Sequence, residues 1–202
     1  MRGQPFQGRP DSGHRPHHPL QQAQAIRPEV IRIVPVGLGV GEPVLDGLAA
    51  DLARLLRISC HVEAAAIDPD PAFDPVRGQY HATSLLRDLG KVPAANGDRL
   101  LGVTAVDLFV PIFTFVFGEA QVGGHRAIVS LHRLREEFYG LPGNYPLLRE
   151  RLAKEAMHEL GHTFGLRHCA RWDCVMSSTH SVDRLDSKNA APCPRCASRM
   201  FE

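Results

Sequence analysis

Three histidines and a glutamate carry the most chemistry in this sequence. Residues His158-Glu159-Leu160-Gly161-His162 read HExxH. On an α-helix, residues four apart share a face, one turn apart. Both imidazoles can then reach one zinc ion at roughly 2.0–2.1 Å. Glu159 is turned about 100° from that face, so it is poorly placed as a third ligand. It is well placed to take a proton from a water on the metal. Three fixed residues recur by chance at roughly one position in ten thousand, so HExxH alone decides little. The extension decides: Gly165 and His168 complete HExxHxxGxxH and lower the chance rate by about a further several hundredfold.

The geometry of the extension is coherent. If the helix ran on, His168 would lie about 15 Å along the axis from His158. It joins the site only if the helix stops and the chain turns back. Gly165 supplies the stop, because glycine tolerates the left-handed backbone that ends helices. Three protein ligands leave one position open for water, the mark of a catalytic zinc. Such a metal lowers the pKa of water towards about 7 and polarises a carbonyl. The expected reaction is peptide-bond hydrolysis with Glu159 as general base and no covalent enzyme intermediate.

Cys169, Cys174, Cys193 and Cys196 form a second constellation, the last two as a CxxC. Two short thiolate pairs suit a closed, tetrahedral, structural zinc. Two disulfides are the alternative, and the absence of an export signal disfavours them. Cys60 is distant, on a predicted strand, and reads as a buried free thiol. His14, His17 and His18 read as part of a solvated polar tail.

The elements that must position these residues follow from pattern. Val30 to Val36 is a predicted strand and Pro43 to Arg57 a helix with apolar residues at helical spacing. His61 to Ala66 is a second strand, and the proline-rich stretch 67–78 a loop. Gln79 to Leu89 is a short helix. Leu100 to Val106, Ile112 to Phe117 and Ala127 to Leu131 are three further strands. Asn144 caps a long helix from Tyr145 to Phe164. This order predicts an α+β fold, a mixed sheet of about five strands with helices packed on it. The Cys-rich end is too polar to form a core alone and needs a metal or docking to become ordered.

The chain has 202 residues and a net charge of +1. That length suits one domain. The near-neutral charge offers no basic stripe for nucleic acid and no field for an acidic membrane. We expect a disordered tail over residues 1–28 and one domain over 29–202, with 169–202 a cysteine-zinc subdomain. A soluble cytoplasmic monomer acting on peptides or proteins is expected. A zinc-stabilised scaffold or peptide-binding module with a vestigial site is the alternative, and it has no need of Glu159.

The long histidine motif followed by Met176 resembles a metzincin, with a methionine turn beneath the metal. HELGHTFGLRHC, four residues on CVM, and the late CPRC are similar in particular to the archaemetzincins (archaelysins). The resemblance extends upstream through VDLFVPIFTFVFGEAQ and IVSLHRLR. The interval from Met176 to the CxxC is sixteen residues, one short of the family's, within a loop. The resemblance implies a compact metzincin-like fold and two zinc ions per chain. His158, His162 and His168 would hold a catalytic one, and the four cysteines a structural one. It also implies Glu159 as base and Gly165 and Met176 as support. Ser177 and Ser178 stand where some metzincins carry a metal-binding tyrosine. The run 113–121 is expected to form the sheet edge above the metal, with substrate antiparallel to it and Ser177 to His180 walling the pocket beyond the cleaved bond; an interior core strand, which its aromatic content also allows, is the alternative.

Overall fold

The computed structural model describes residues 30–64 and 66–200. The tail expected over 1–28 lies outside the described residues. In chain order the elements are β1 (Val30–Val36), α1 (Glu42–Leu56), β2 (Ser59–Val62), β3 (Phe73–Asp74), β4 (Gln79–His81) and α2 (Ala82–Asp88). Then come β5 (Arg99–Thr104), β6 (Leu108–Phe109), β7 (Gly118–Ala120), β8 (Arg126–Ser130), α3 (Tyr145–Thr163), α4 (Val182–Asp186) and α5 (Pro194–Arg199).

The main sheet has the order β2-β1-β5-β8-β7. The first four strands are parallel, and β7 runs antiparallel to β8 at one edge. Parallel strands are covered on both faces and so read as near-continuous apolar runs. Ile31, Ile33, Leu101, Val103, Ala127 and Val129 belong to one core cluster, together with residues of α1 and α3. Val34, Val36, Leu100 and Ile128 belong to a second, with α2. The first layer holds the long helix against the sheet. Its second support is α1, whose Leu45, Leu48, Leu52 and Leu56 form a buried helical stripe. From the Cys-rich end, Val175, Met176, Leu185, Cys193 and Met200 join this same cluster. The polar segment is therefore docked on the main body.

Three sequence expectations need correction. Ile112 to Phe117 is not a strand. Arg77 Nη2 donates to the carbonyls of Phe113 and Thr114, and Gln79 Nε2 donates to Thr114 as well. Side chains thus take the acceptors a neighbouring strand would use, and Ile112 and Phe113 are exposed. Only Val116 forms an isolated bridge, to Leu108. The fifth strand of the sheet is β7 instead. Second, Gln79 to His81 is a short strand rather than helix. Tyr80 pairs with Phe73 on one side and Leu108 on the other, in a small sheet ordered β3-β4-β6. The helix starts only at Ala82. Cys60, expected to be buried, is only half-buried.

Candidate metal centre and catalytic cleft

The helix α3 begins as its sequence dictates. Asn144 Oδ1 accepts the Leu147 N–H at 3.1 Å and Pro146 occupies the first turn. Its end is a Schellman motif. The Leu166 N–H bonds to the Gly161 carbonyl, the Gly165 N–H bonds to the His162 carbonyl, and Gly165 has φ +84°. The chain then turns back and brings His168 to the two helical histidines. Ligand atoms of His158, His162 and His168 all lie within 4.8 Å of one another.

The turn also orients the ligands. His162 Nδ1 meets the Leu166 carbonyl at 2.7 Å, and His158 Nδ1 meets the Val175 carbonyl at 2.8 Å. A carbonyl only accepts, so each Nδ1 carries the proton and each Nε2 presents a bare lone pair. These two Nε2 atoms stand 3.1 Å apart. Two nitrogens of one tetrahedral zinc are about 3.3 Å apart at ordinary bond lengths, so the donor set fits that ion. Burial, then the neighbouring His162, pushes the His158 imidazole down to about 3. Burial also lowers His162 and His168. All three therefore offer neutral rings, the form that ligates.

Glu159 is buried and lines a cleft of about 270 Å³ with His158, His168, Gly118, Glu155 and His180. Burial first, then the carboxylates of Glu155 and Glu119, raises its pKa well above the usual range. Glu155, one turn earlier, is pushed up to about 7 by burial, with Lys188 pulling the other way. Its Oε2 has no hydrogen-bond partner. The edge strand passes so close to α3 that a Cβ at Gly118 would lie 2.6 Å from the Ile128 carbonyl and 2.7 Å from Glu159 Cγ. Glycine is required here. The sequence carried a signal for it, since a glycine inside an apolar run marks a close backbone approach.

Met176 is fully buried and packs against Gly161 of α3. A Cβ on Gly161 would come within 2.3 Å of its sulfur, so the second variable position of HExxH is glycine because Met176 fills that space. The Cys169 N–H bonds to the Met176 carbonyl at 2.9 Å and closes the intervening loop. Cys169, Cys174, Cys193 and Cys196 bring their sulfurs within 4.8 Å of one another, and none forms a disulfide. Cys169 and Cys193 are 3.9 Å apart, close to the roughly 3.8 Å expected between two thiolates on one tetrahedral zinc. Every candidate ligand predicted from sequence thus falls into one of two groups. Sequence reasoning missed Lys188, which is buried and donates to the carbonyls of Val175 and Ser177. A lone lysine between α4 and α5 gives no sequence signal.

This fold, with a three-histidine group at the end of its long helix and a methionine packed against that helix, defines a zinc metallopeptidase of the metzincin clan. The chain belongs to peptidase family M54, whose sequence model matches residues 57–202. It is similar to the archaemetzincin of Methanocaldococcus jannaschii, at 40% identity over 170 residues, covering 84% of this chain and 92% of that one. The crystal structure of archaemetzincin from Methanopyrus kandleri matches with a TM-score of 0.74 at 34% identity, covering 86% of this chain and 93% of that one. A zinc-dependent peptidase from Methanocorpusculum labreanum matches with a TM-score of 0.75 at 31% identity, covering 84% and 99%. Among the described residues, no helix is long and apolar enough to cross a membrane.

Proposed function

We propose that His158, His162 and His168 hold a catalytic zinc, that the four cysteines hold a structural one, and that Glu159 is the general base of peptide hydrolysis. The observation that carries this is the pair of bare Nε2 atoms at 3.1 Å. Two lone pairs facing each other repel unless a cation lies between them. A zinc ion there supplies a Lewis acid that acidifies water and polarises a carbonyl. Glu159 takes one proton of the attacking water as its oxygen bonds to the carbonyl carbon. It returns that proton to the nitrogen as the C–N bond breaks. We read the protein as a monomer in the cytoplasm, and five uncrosslinked cysteines fit that reducing compartment.

Metal analysis tests the assignment. About two zinc atoms per chain are expected, in unlike environments. A chelator should strip the histidine group first, because an open site exposes its metal. A stoichiometry of one, or four cysteines found oxidised, would remove the two-site reading.

The substrate is proposed to lie antiparallel along β7, with Ser177 to His180 walling the next side chain. β7 is an edge strand, and an edge offers unpaired amides to an extended peptide. The amide of Glu119 is not one of these. That residue pairs with Ile128 between the bonds Ser130 N–H to Phe117 O and Gln121 N–H to Arg126 O. By antiparallel alternation its own amide points inward to β8, and those of Gly118 and Ala120 point out. Its carboxylate is held by Thr83. The informative change is Ala120→Pro, which removes one outward donor. Peptide KM should rise about three- to tenfold, the worth of one hydrogen bond, with zinc content constant. Unaltered KM in the folded, zinc-loaded variant would refute docking at this edge.

A further inference from the structure

We propose that Lys188 is a positioning residue for the candidate catalytic centre, clamping the methionine turn so that the Val175 carbonyl fixes the proton of His158. The inference rests on the histidine group being the metal site. Its basis is a chain of contacts that reaches His158 from outside the cleft.

Lys188 is 4% exposed. Its Nζ donates to the carbonyls of Val175, at 3.3 Å, and of Ser177. These two residues bracket Met176. The Val175 carbonyl is also the acceptor for His158 Nδ1, at 2.8 Å. One oxygen therefore receives the lysine on one side and the imidazole on the other. With that oxygen anchored, His158 keeps its proton on Nδ1 and aims Nε2 at the metal position. Partners that hold the far nitrogen of a ligating histidine set its tautomer and orientation.

The lysine is itself delivered with precision. Arg151, on α3, holds the Asp186 carboxylate through two bonds of 2.7 Å, and Lys154 Nζ donates to the Asp186 carbonyl. The end of α4 is thereby tied to the same helix that carries His158. On the other side of Lys188, the Asn189 N–H bonds to the Asp173 carbonyl at 2.8 Å. That contact ties the chain to the cysteine-bearing loop. Burying an ammonium is costly unless opposite charge and acceptors surround it. Here burial lowers the Lys188 pKa, with Glu155, Cys174 and Glu159 pulling the other way, and the two carbonyls supply the acceptors. A turn that needed only packing would be served by an apolar side chain of the same length.

The experiment compares Lys188→Met, which keeps the aliphatic stem, with the parent protein. Cobalt(II) is the probe, because thiolate ligation gives intense near-ultraviolet charge-transfer absorption and imidazole ligation does not. The two groups can then be titrated separately. Loss of an outer partner lowers metal affinity by about 10- to 100-fold. That loss is expected at the histidine group, with the cysteine group within about twofold of the parent. On peptide substrate kcat should fall with little change in KM. If Lys188→Met does not fold, Lys188→Gln carries the test, since its shorter amide cannot hold both carbonyls, and the same selective loss is expected. Unchanged affinity at the histidine group overturns the proposal. So does an equal loss from both groups, which is what general loosening of the segment would give. A parent protein whose histidine group binds no metal would overturn the functional reading, and this inference with it.

Discussion

Glu159→Ala is expected to lower kcat by about two to four orders of magnitude with zinc content unchanged. That range is what a positioned general base contributes. The carboxylate lies in the cleft beside His158 and His168 and is buried among other carboxylates. Its removal deletes a costly buried acid rather than a packing element, so the variant should fold. The Nδ1 contacts that orient His158 and His162 run to backbone carbonyls and do not involve Glu159. Zinc content should therefore match the parent. The check is steady-state turnover of a fluorogenic peptide alongside zinc analysis of the same preparation. Parent-like turnover would place the base elsewhere. Loss of zinc would mean that Glu159 is a ligand.

The second large effect concerns Cys193→Ser. Cys193 is buried at the N-cap of α5, its sulfur beside that of Cys169, and its N–H donates to Cys174 Sγ at 3.2 Å. Structural zinc contributes folding energy directly, because the site does not exist in the unfolded chain. If the four cysteines hold zinc as proposed, losing one of them should destabilise the protein by more than about 4 kcal/mol, the range reserved for metal loss and similar events. For a domain of this size that is a fall in Tm of about 10 °C or more. Hydrogen exchange should show the loss of protection concentrated after His168. A calorimetric scan with an unshifted midpoint and full zinc content would contradict the assignment.

The histidine site was legible in the sequence because its parts obey local geometry. A four-residue interval on a helix, a glycine that can end it and a return histidine are all constraints along the chain. The helix cap at Asn144 was legible for the same reason. The run Ile112 to Phe117 misled because strand propensity is local, whereas the competitors for its carbonyls, Arg77 and Gln79, lie some thirty-five residues upstream. The direction of the Glu119 amide depends on register with β8, which no single strand encodes. Lys188 was invisible because its burial arises only when the chain end folds back under α3.

The loop from His168 to Met176 is shared property. It starts with a ligand of one group, continues with Cys169 and Cys174 of the other, and is closed by the Cys169 to Met176 bond. If each group takes a metal, the two binding equilibria are linked. Filling the thiolates orders the segment that presents His168, so the first ion bears the ordering entropy that the second then avoids. Linkage is reciprocal: whatever factor the sulfur-bound ion adds to affinity at the imidazoles, the imidazole-bound ion adds at the sulfurs. With both groups filled, the cysteine group would act as a positive effector of the histidine group, and metal uptake would be cooperative.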